Sequence, residues 1–179
     1  MSRRATLLAV GLLALVTVAG CAGAGGGPDP TATDTTTATD ERASTPVSTP
    51  GSSYETTTVY LVDENGTRLA AVDVWVADTF PKRYVGLSDT TALEPGQGML
   101  FVHDDEARHA YVMRDMDFPL DMVFVAANGT VTTIHHAPLE SDGDLTEYAG
   151  RSKYVLEVPM GYTNRTGVDV GDRLRIEDR

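Results

Sequence analysis

The chain has 179 residues, is 41% hydrophobic and carries a formal net charge of −12, with a pI near 4.6. That size and apolar content suit one ordinary soluble domain plus extra segments. The charge excludes a nucleic-acid binder, because phosphate binding needs a basic face. Lysine occurs only at Lys82 and Lys153. A dense acidic surface with so little lysine fits a protein kept soluble in high salt, where charges are screened. The expectation is an extreme halophile; an acidic mesophile domain is the alternative.

The chain opens with Arg3-Arg4, and an apolar run follows from Leu7 to Val18. That run is short for a membrane span, which needs roughly 20 residues. Charged start, apolar middle and small-residue end make residues 1–20 a signal peptide. Arg3-Arg4 with Leu7-Leu8 resembles a twin-arginine export signal, and Sec export stays open. Val18-Ala19-Gly20-Cys21 resembles a lipobox, which implies cleavage before Cys21 and a lipid on its thiol. The alternative is an uncleaved anchor with an incidental cysteine. The cleaved form has 12 basic against 26 acidic side chains, a net of −14. Cys21 is the only cysteine, so no intramolecular disulfide can form.

Residues 21–54 are rich in Gly, Pro, Thr and Ser. So little apolar surface cannot offset the entropy of ordering, and a disordered tether is expected. Its r.m.s. reach would be roughly 30 Å.

Residues 55–179 form the predicted folded domain. Thr56 to Asp63 alternates as a strand, Asn65-Gly66 makes a tight turn, and Arg68 to Ala77 returns. Asp78-Thr79 can cap a short helix from Phe80 to Leu87, with Pro81 in its first turn and Gly86 at its end. Gly98 to Val102 is wholly apolar and predicts a buried strand. His103-Asp-Asp-Glu106 reads as an acidic turn. Met122 to Ala127 is another buried strand, Asn128-Gly129 a second turn, and Val131 to His136 its return. Ala137 to Ser152 reads as a long polar loop, Lys153 to Val158 as a strand, and Pro159 to Thr166 as one irregular or short helical turn. Arg173 to Glu177 closes the domain. Short strands, hairpin turns and one clear helix predict a mostly β (α+β) fold: a compact, antiparallel, sandwich- or barrel-like domain.

The functional surface is expected between Tyr111 and Val125. Two strand-like runs flank a turn that holds Arg114, Asp115, Asp117 and Asp121 around Phe118-Pro119. Charges crowded between buried strands cost desolvation energy unless they pair or meet a ligand. Asp121 can contact a ligand or metal, or accept backbone N–H bonds in its turn. Arg83 can hold an anion or bridge to Asp121 or Glu157. His135 and His136 are strand neighbours and should face opposite sides, which disfavours a shared metal. Met99, Met113, Met116, Met122 and Met160 read as core filler.

No Gly-x-Ser-x-Gly elbow, phosphate loop, His-Glu-x-x-His or calcium loop occurs. No cofactor and no metal site are expected. Asp115 and Asp121 could act as a carboxylate pair on a sugar, but paired carboxylates are common in any acidic protein. Asn65, Asn128 and Asn164 each begin an Asn-x-Thr sequon. They could carry glycans on an exported protein, although Asn-Gly-Thr is also good turn chemistry.

Several motifs come in a fixed order. They are Val74-Trp-Val-Ala-Asp-Thr79, Arg83-Tyr-Val-Gly86-Leu87, Gly98-Met-Leu-Phe101, Met113-Arg-Asp-Met116 with Pro119-Leu-Asp121, Val155-Leu-Glu157 and Gly171-Asp172. The set resembles the domain-of-unknown-function 192 family, small bacterial and archaeal domains that are often exported. The resemblance spans roughly Val72 to Ile176 and implies a β-rich fold with a short helix, but no established activity. Ser88 stands where the family commonly has Met, and Val112 where an aromatic is common. Asp115-Met116 replaces Asn-Thr, which adds a negative charge to the turn.

These observations suggest a lipid-anchored module on the outer face of the cytoplasmic membrane. Its pocket is expected at Arg83, Asp115, Asp121 and Glu157. The alternatives are a hydrolase of envelope carbohydrate and a protein-interaction domain of a membrane complex. Membrane attachment would run through Cys21; the small-molecule or protein partner is left open.

Overall fold

A computed structural model describes residues 53–141 and 143–177. The predicted signal peptide, Cys21 and the tether as far as residue 52 lie outside these. Seven strands form one sheet: β1 (Glu55–Val62), β2 (Arg68–Ala77), β3 (Gln97–Tyr111), β4 (Leu120–Val125), β5 (Val131–Ala137), β6 (Tyr148–Pro159) and β7 (Arg173–Ile176). Helix α1 (Phe80–Val85) joins β2 to β3, and α2 (Tyr162–Thr166) follows β6. The fold is mostly β, as predicted, with two short helices rather than one. Among the described residues no helix is long and apolar enough to cross a membrane.

The strand order is β5-β4-β6-β3-β2-β1-β7. Every pairing is antiparallel except β2 with β3, which α1 connects. The two ends of this order meet. Thr130 bridges Arg173, and Leu174 N–H donates to Gly129 O at 2.8 Å. The sheet therefore curls into a half-barrel. Its inside is a core of Val59, Leu61, Val72, Val74, Leu100, Val123, Leu156 and Val158, with Tyr162 of α2 packed on it. The outer face of β3, β4 and β6 carries a second cluster, which includes Met99, Phe101, Leu120, Met122 and Phe124.

Both Asn-Gly pairs lie in hairpin turns. Gly66 and Gly129 take φ of 85° and 86°, while neither asparagine has positive φ. Each hairpin carries a register shift beside its turn, so these are bulged turns rather than the tight φ > 0 pair expected.

The acidic turn is instead a bulge within one long strand. From Val102 to Ala107, β3 spends five residues where β6, from Tyr154 back to Ser152, spends two. The extruded Asp104–Glu106 segment is tied back by Glu106, which accepts from Arg151 Nε at 2.7 Å and Ala127 N–H at 2.8 Å. Residues 148–152, expected in the polar loop, pair with the far end of β3 and extend β6.

A cleft between the first helix and the sheet

Strand alternation sorts the candidate residues. On β4, Leu120, Met122 and Phe124 join the outer cluster, while Val123 and Val125 join the inner core. Asp121 therefore faces inward. On β6, Val155 joins the outer cluster and Leu156 and Val158 the inner core, so Glu157 faces outward. Glu157 pairs with Met99 of β3 and Met122 of β4.

Above this outer face lies α1. It has no buried residue, and Phe80 and Tyr84 are exposed. Polar contacts hold it in place. Arg83 Nη1 donates to Val102 O of β3 and to Asp78 O, both at 2.8 Å. Arg114 Nη2 donates to Tyr84 O at 2.8 Å, with its guanidinium over the Tyr84 ring. Tyr54 Oη donates to Lys82 O. Gly86 ends the helix at φ 54°, and a Cβ there would come 3.2 Å from the Phe101 ring.

A helix held at its edges leaves space beneath it. The resulting cleft has a volume of about 390 Å³, at the small end of the range for ligand sites, roughly 300–1,000 Å³. Phe101, Leu120 and Met122 underlie it from the sheet, and Glu157 lies among them. Its other walls are α1 with Arg83, Tyr84 and Val85, the loop residues Leu87, Arg114 and Met116, and the far end of β3. There the bulge brings His103 and His109 into a parallel stack, with centroids 3.5 Å apart. His103 Nε2 and Tyr111 Oη are hydrogen-bonded at 2.9 Å.

The electrostatics follow from burial. Glu157 is 5% exposed and hydrogen-bonds no described residue through its carboxyl. Desolvation raises its pKa to about 8, so it is mainly protonated at neutral pH. Burial, then His109 and Arg83, lower His103 to about 4 against the opposing pull of Asp104. Burial, then the nearby Glu157, push the Tyr111 hydroxyl up. The cleft therefore holds a neutral acid, a neutral imidazole and a neutral phenol beside the guanidinium groups of Arg83 and Arg114.

Of the four expected pocket residues, the structure brings Arg83 and Glu157 together and leaves two outside. Asp121, fully buried, accepts from His136 Nδ1 at 2.6 Å, Gly161 N–H at 3.0 Å, Thr163 N–H at 2.9 Å and the Thr163 hydroxyl at 2.7 Å. Burial alone would raise this carboxyl; the four bonds outweigh it and hold it below its usual range. Its role is to fix the start of α2. Asp115 is 80% exposed and sits at φ 54°. It is the only described non-glycine residue with positive φ, a conformation that Asp and Asn tolerate best. Arg83 bridges to neither Asp121 nor Glu157, since its bonds go to backbone carbonyls.

His135 and His136 do face opposite sides. His135 packs edge-on to Phe124 and Tyr148, and His136 meets Asp121. Met99, Met113 and Met122 are core residues, Met116 is half-buried at the cleft, and Met160 is exposed at 40%. Among the described residues no three metal-ligating side chains cluster. Asn65, Asn128 and Asn164 are all exposed.

The site thus belongs to a small β domain and is a ligand-sized cleft beside its first helix. Residues 60–176 match the DUF192 family, described as "Uncharacterized ACR", and the chain belongs to it. A solved protein of Sinorhizobium meliloti 1021, described as a candidate transcription regulator, is similar at 30% identity and a TM-score of 0.63. The match covers 71% of this chain and 98% of that one. A protein of unknown function from Novosphingobium aromaticivorans DSM 12444 is similar at 26% identity and the same TM-score, covering 72% and 91%. No curated protein matches the chain.

Proposed function

We propose that this chain is an exported, lipid-anchored binding module whose α1 cleft takes a small ligand. The single observation that carries the reading is Glu157, a buried carboxyl with no bonded partner among the described residues, in a cleft that also holds Arg83. Buried polar groups in a native fold are normally paired, and one left open in a cleft is poised for a ligand. The Cys21 lipid and the tether would hold the domain outside the membrane. Changing Cys21 to Ser should move the protein from the membrane fraction to the soluble one.

The regulator description of the Sinorhizobium protein does not suit this chain, whose charge of −12 opposes DNA. The hydrolase alternative gains nothing from the placement of its two carboxylates. Asp121 is saturated with hydrogen bonds on the inner face, and Asp115 is out in solvent.

The test is a thermal-shift screen of residues 53–179 in high salt, against divalent metals, sugars and small anions. The Sinorhizobium chain consists almost entirely of this domain, which supports its folding alone. A ligand at a hundredfold excess over its Kd adds about 2.7 kcal/mol to stability. A hit that is lost when the cleft is obstructed supports the reading. A flat screen on a cooperatively melting domain would favour a protein partner on the exposed rim of Phe80 and Tyr84.

A further inference from the structure

Given a ligand in the α1 cleft, we propose that its class is a small organic monoanion, such as a carboxylate, with an apolar body. Its charged group would lie against Arg83 and its body against the accessible apolar lining of Val85, Val112 and Met116.

The donor set argues for an anion. Both bonds that Arg83 makes come from Nη1. They fix the guanidinium plane and leave Nε and Nη2 without a hydrogen-bond partner among the described residues. A guanidinium anchored on one side and open on the other suits an oxyanion, which it can meet with two parallel bonds. Arg114 adds a second positive charge to the lining, and Glu157 is the only acidic residue there. In its protonated form Glu157 can donate to an anionic oxygen without repelling it. A cation would meet two guanidinium groups and no ionised carboxylate.

The rest of the lining argues for an apolar body. It contains no Asp, Asn or Gln, the side chains that usually satisfy the many hydroxyls of a sugar. Its accessible apolar side chains include Val85 and Val112, 37% and 38% exposed. They offer nothing to a fully hydrated ion such as phosphate, whose shell would have to be stripped against carbon.

Binding should depend on pH through Glu157. It lies near Tyr111 of β3 and beside apolar Met122 of β4; Arg83, Tyr84, His103, His109 and Arg114 complete the charged or titratable lining of the cleft. An ionised Glu157 would repel the ligand's negative charge within the same cleft.

The experiment is calorimetric titration of residues 53–179 in concentrated KCl. The probes are hexanoate and benzoate, their neutral counterparts hexanol and benzyl alcohol, and methyl glucoside and inorganic phosphate. The carboxylates are expected to bind at least tenfold more tightly than the alcohols at pH 7, and to weaken several-fold by pH 9. Glu157→Gln should flatten the pH dependence between pH 7 and 9, a signature that a merely structural glutamate would not give. Arg83→Lys keeps the charge without the fork and should weaken binding tenfold or more. Val85→Trp, at a lining position of α1 that is 37% exposed, should fold normally and abolish binding. Equal affinity for acids and alcohols, or a preference for methyl glucoside or phosphate, overturns the anion class and leaves the binding reading standing. No binding by any probe, with the domain folded, overturns both.

Discussion

Glu157 and Asp121 sit on neighbouring strands, both buried, and face opposite sides of the sheet. One is held protonated by desolvation and the other ionised by four donors. Their effects on stability should therefore run in opposite directions with pH. For Glu157 the folded pKa is raised from 4.5 to about 8. Its stability contribution is complete below the unfolded value and is lost as pH rises to about 8, at up to about 1.4 kcal/mol per pH unit. Glu157→Gln should remove that loss and raise the melting temperature, most strongly at pH 8 and above. Melts from pH 5 to 9 check this; parallel wild-type and variant curves would show that Glu157 is ionised in the fold. For Asp121 the folded pKa is depressed, so its contribution is present above the unfolded value of about 3.9 and is lost as pH falls through the lower folded one. Asp121→Asn replaces an acceptor with an amide that faces donors, and should cost about 2–4 kcal/mol in urea unfolding at pH 7. Small-ligand affinity at the α1 cleft should change little in whatever remains folded. Both carboxylates could be picked out from the sequence, but their directions could not. Leu120 to Val125 is buried at every position, so no polar alternation marks which face each residue takes.

At the scale of elements, the readable parts were those with local chemistry. Val72, Val74 and Val76 alternate against Asp73 and Trp75, Pro81 and Gly86 bracket α1, and two Asn-Gly pairs mark hairpins. The far half of β3 and the near half of β6 were not readable, because their signal is non-local. Asp104 to Glu106 looks like a turn until β6 is seen to pair on both sides of it. Gly150 looks like a loop glycine, yet a Cβ there would lie 2.7 Å from Phe124 Cγ, so the glycine lets the ring pack on the strand. The cleft was hidden for the same reason. His103, His109 and Tyr111 meet because the bulge extrudes residues 104–106 and brings the two halves of β3 closer together. Gly98 has a similar role where β3 passes between β2 and β6. A Cβ there would fall 2.6 Å from Glu157 O and 3.1 Å from Val72 and Val158. Gly98→Ala must push strands apart and should cost about 1–3 kcal/mol. Because it moves the backbone that carries Glu157, it should also weaken any ligand of the cleft. Unfolding and titration on the same sample test both effects, and an unperturbed variant would mean that the sheet is more compliant than this packing implies.

For the whole molecule, charge is the dominant quantity. Residues 55–179 carry 22 acidic against 11 basic side chains, a net of −11, and the few ion pairs among the described residues lie mostly near the surface. Pairs of that kind contribute about 0–1 kcal/mol each and do not offset self-repulsion between so many carboxylates. Folding brings those carboxylates together, so the compact state bears more repulsion than the unfolded one. Salt shortens the reach of the repulsion, from about 10 Å at 0.1 M to about 3 Å at 1 M. The domain should therefore melt at a distinctly higher temperature in 1 M KCl than in 0.1 M. Screening and solvent exclusion can be separated by the shape of the response. A screening effect rises steeply at low salt and flattens near 1 M, whereas exclusion of a salt such as sulfate from apolar surface keeps adding stability with concentration. A melting temperature that climbs early in KCl and then levels would tie the acidic composition to repulsion relieved by salt. A linear rise in sulfate with no early rise in KCl would instead assign the salt requirement to the apolar core, and a curve flat in both would remove the halophilic reading of the sequence.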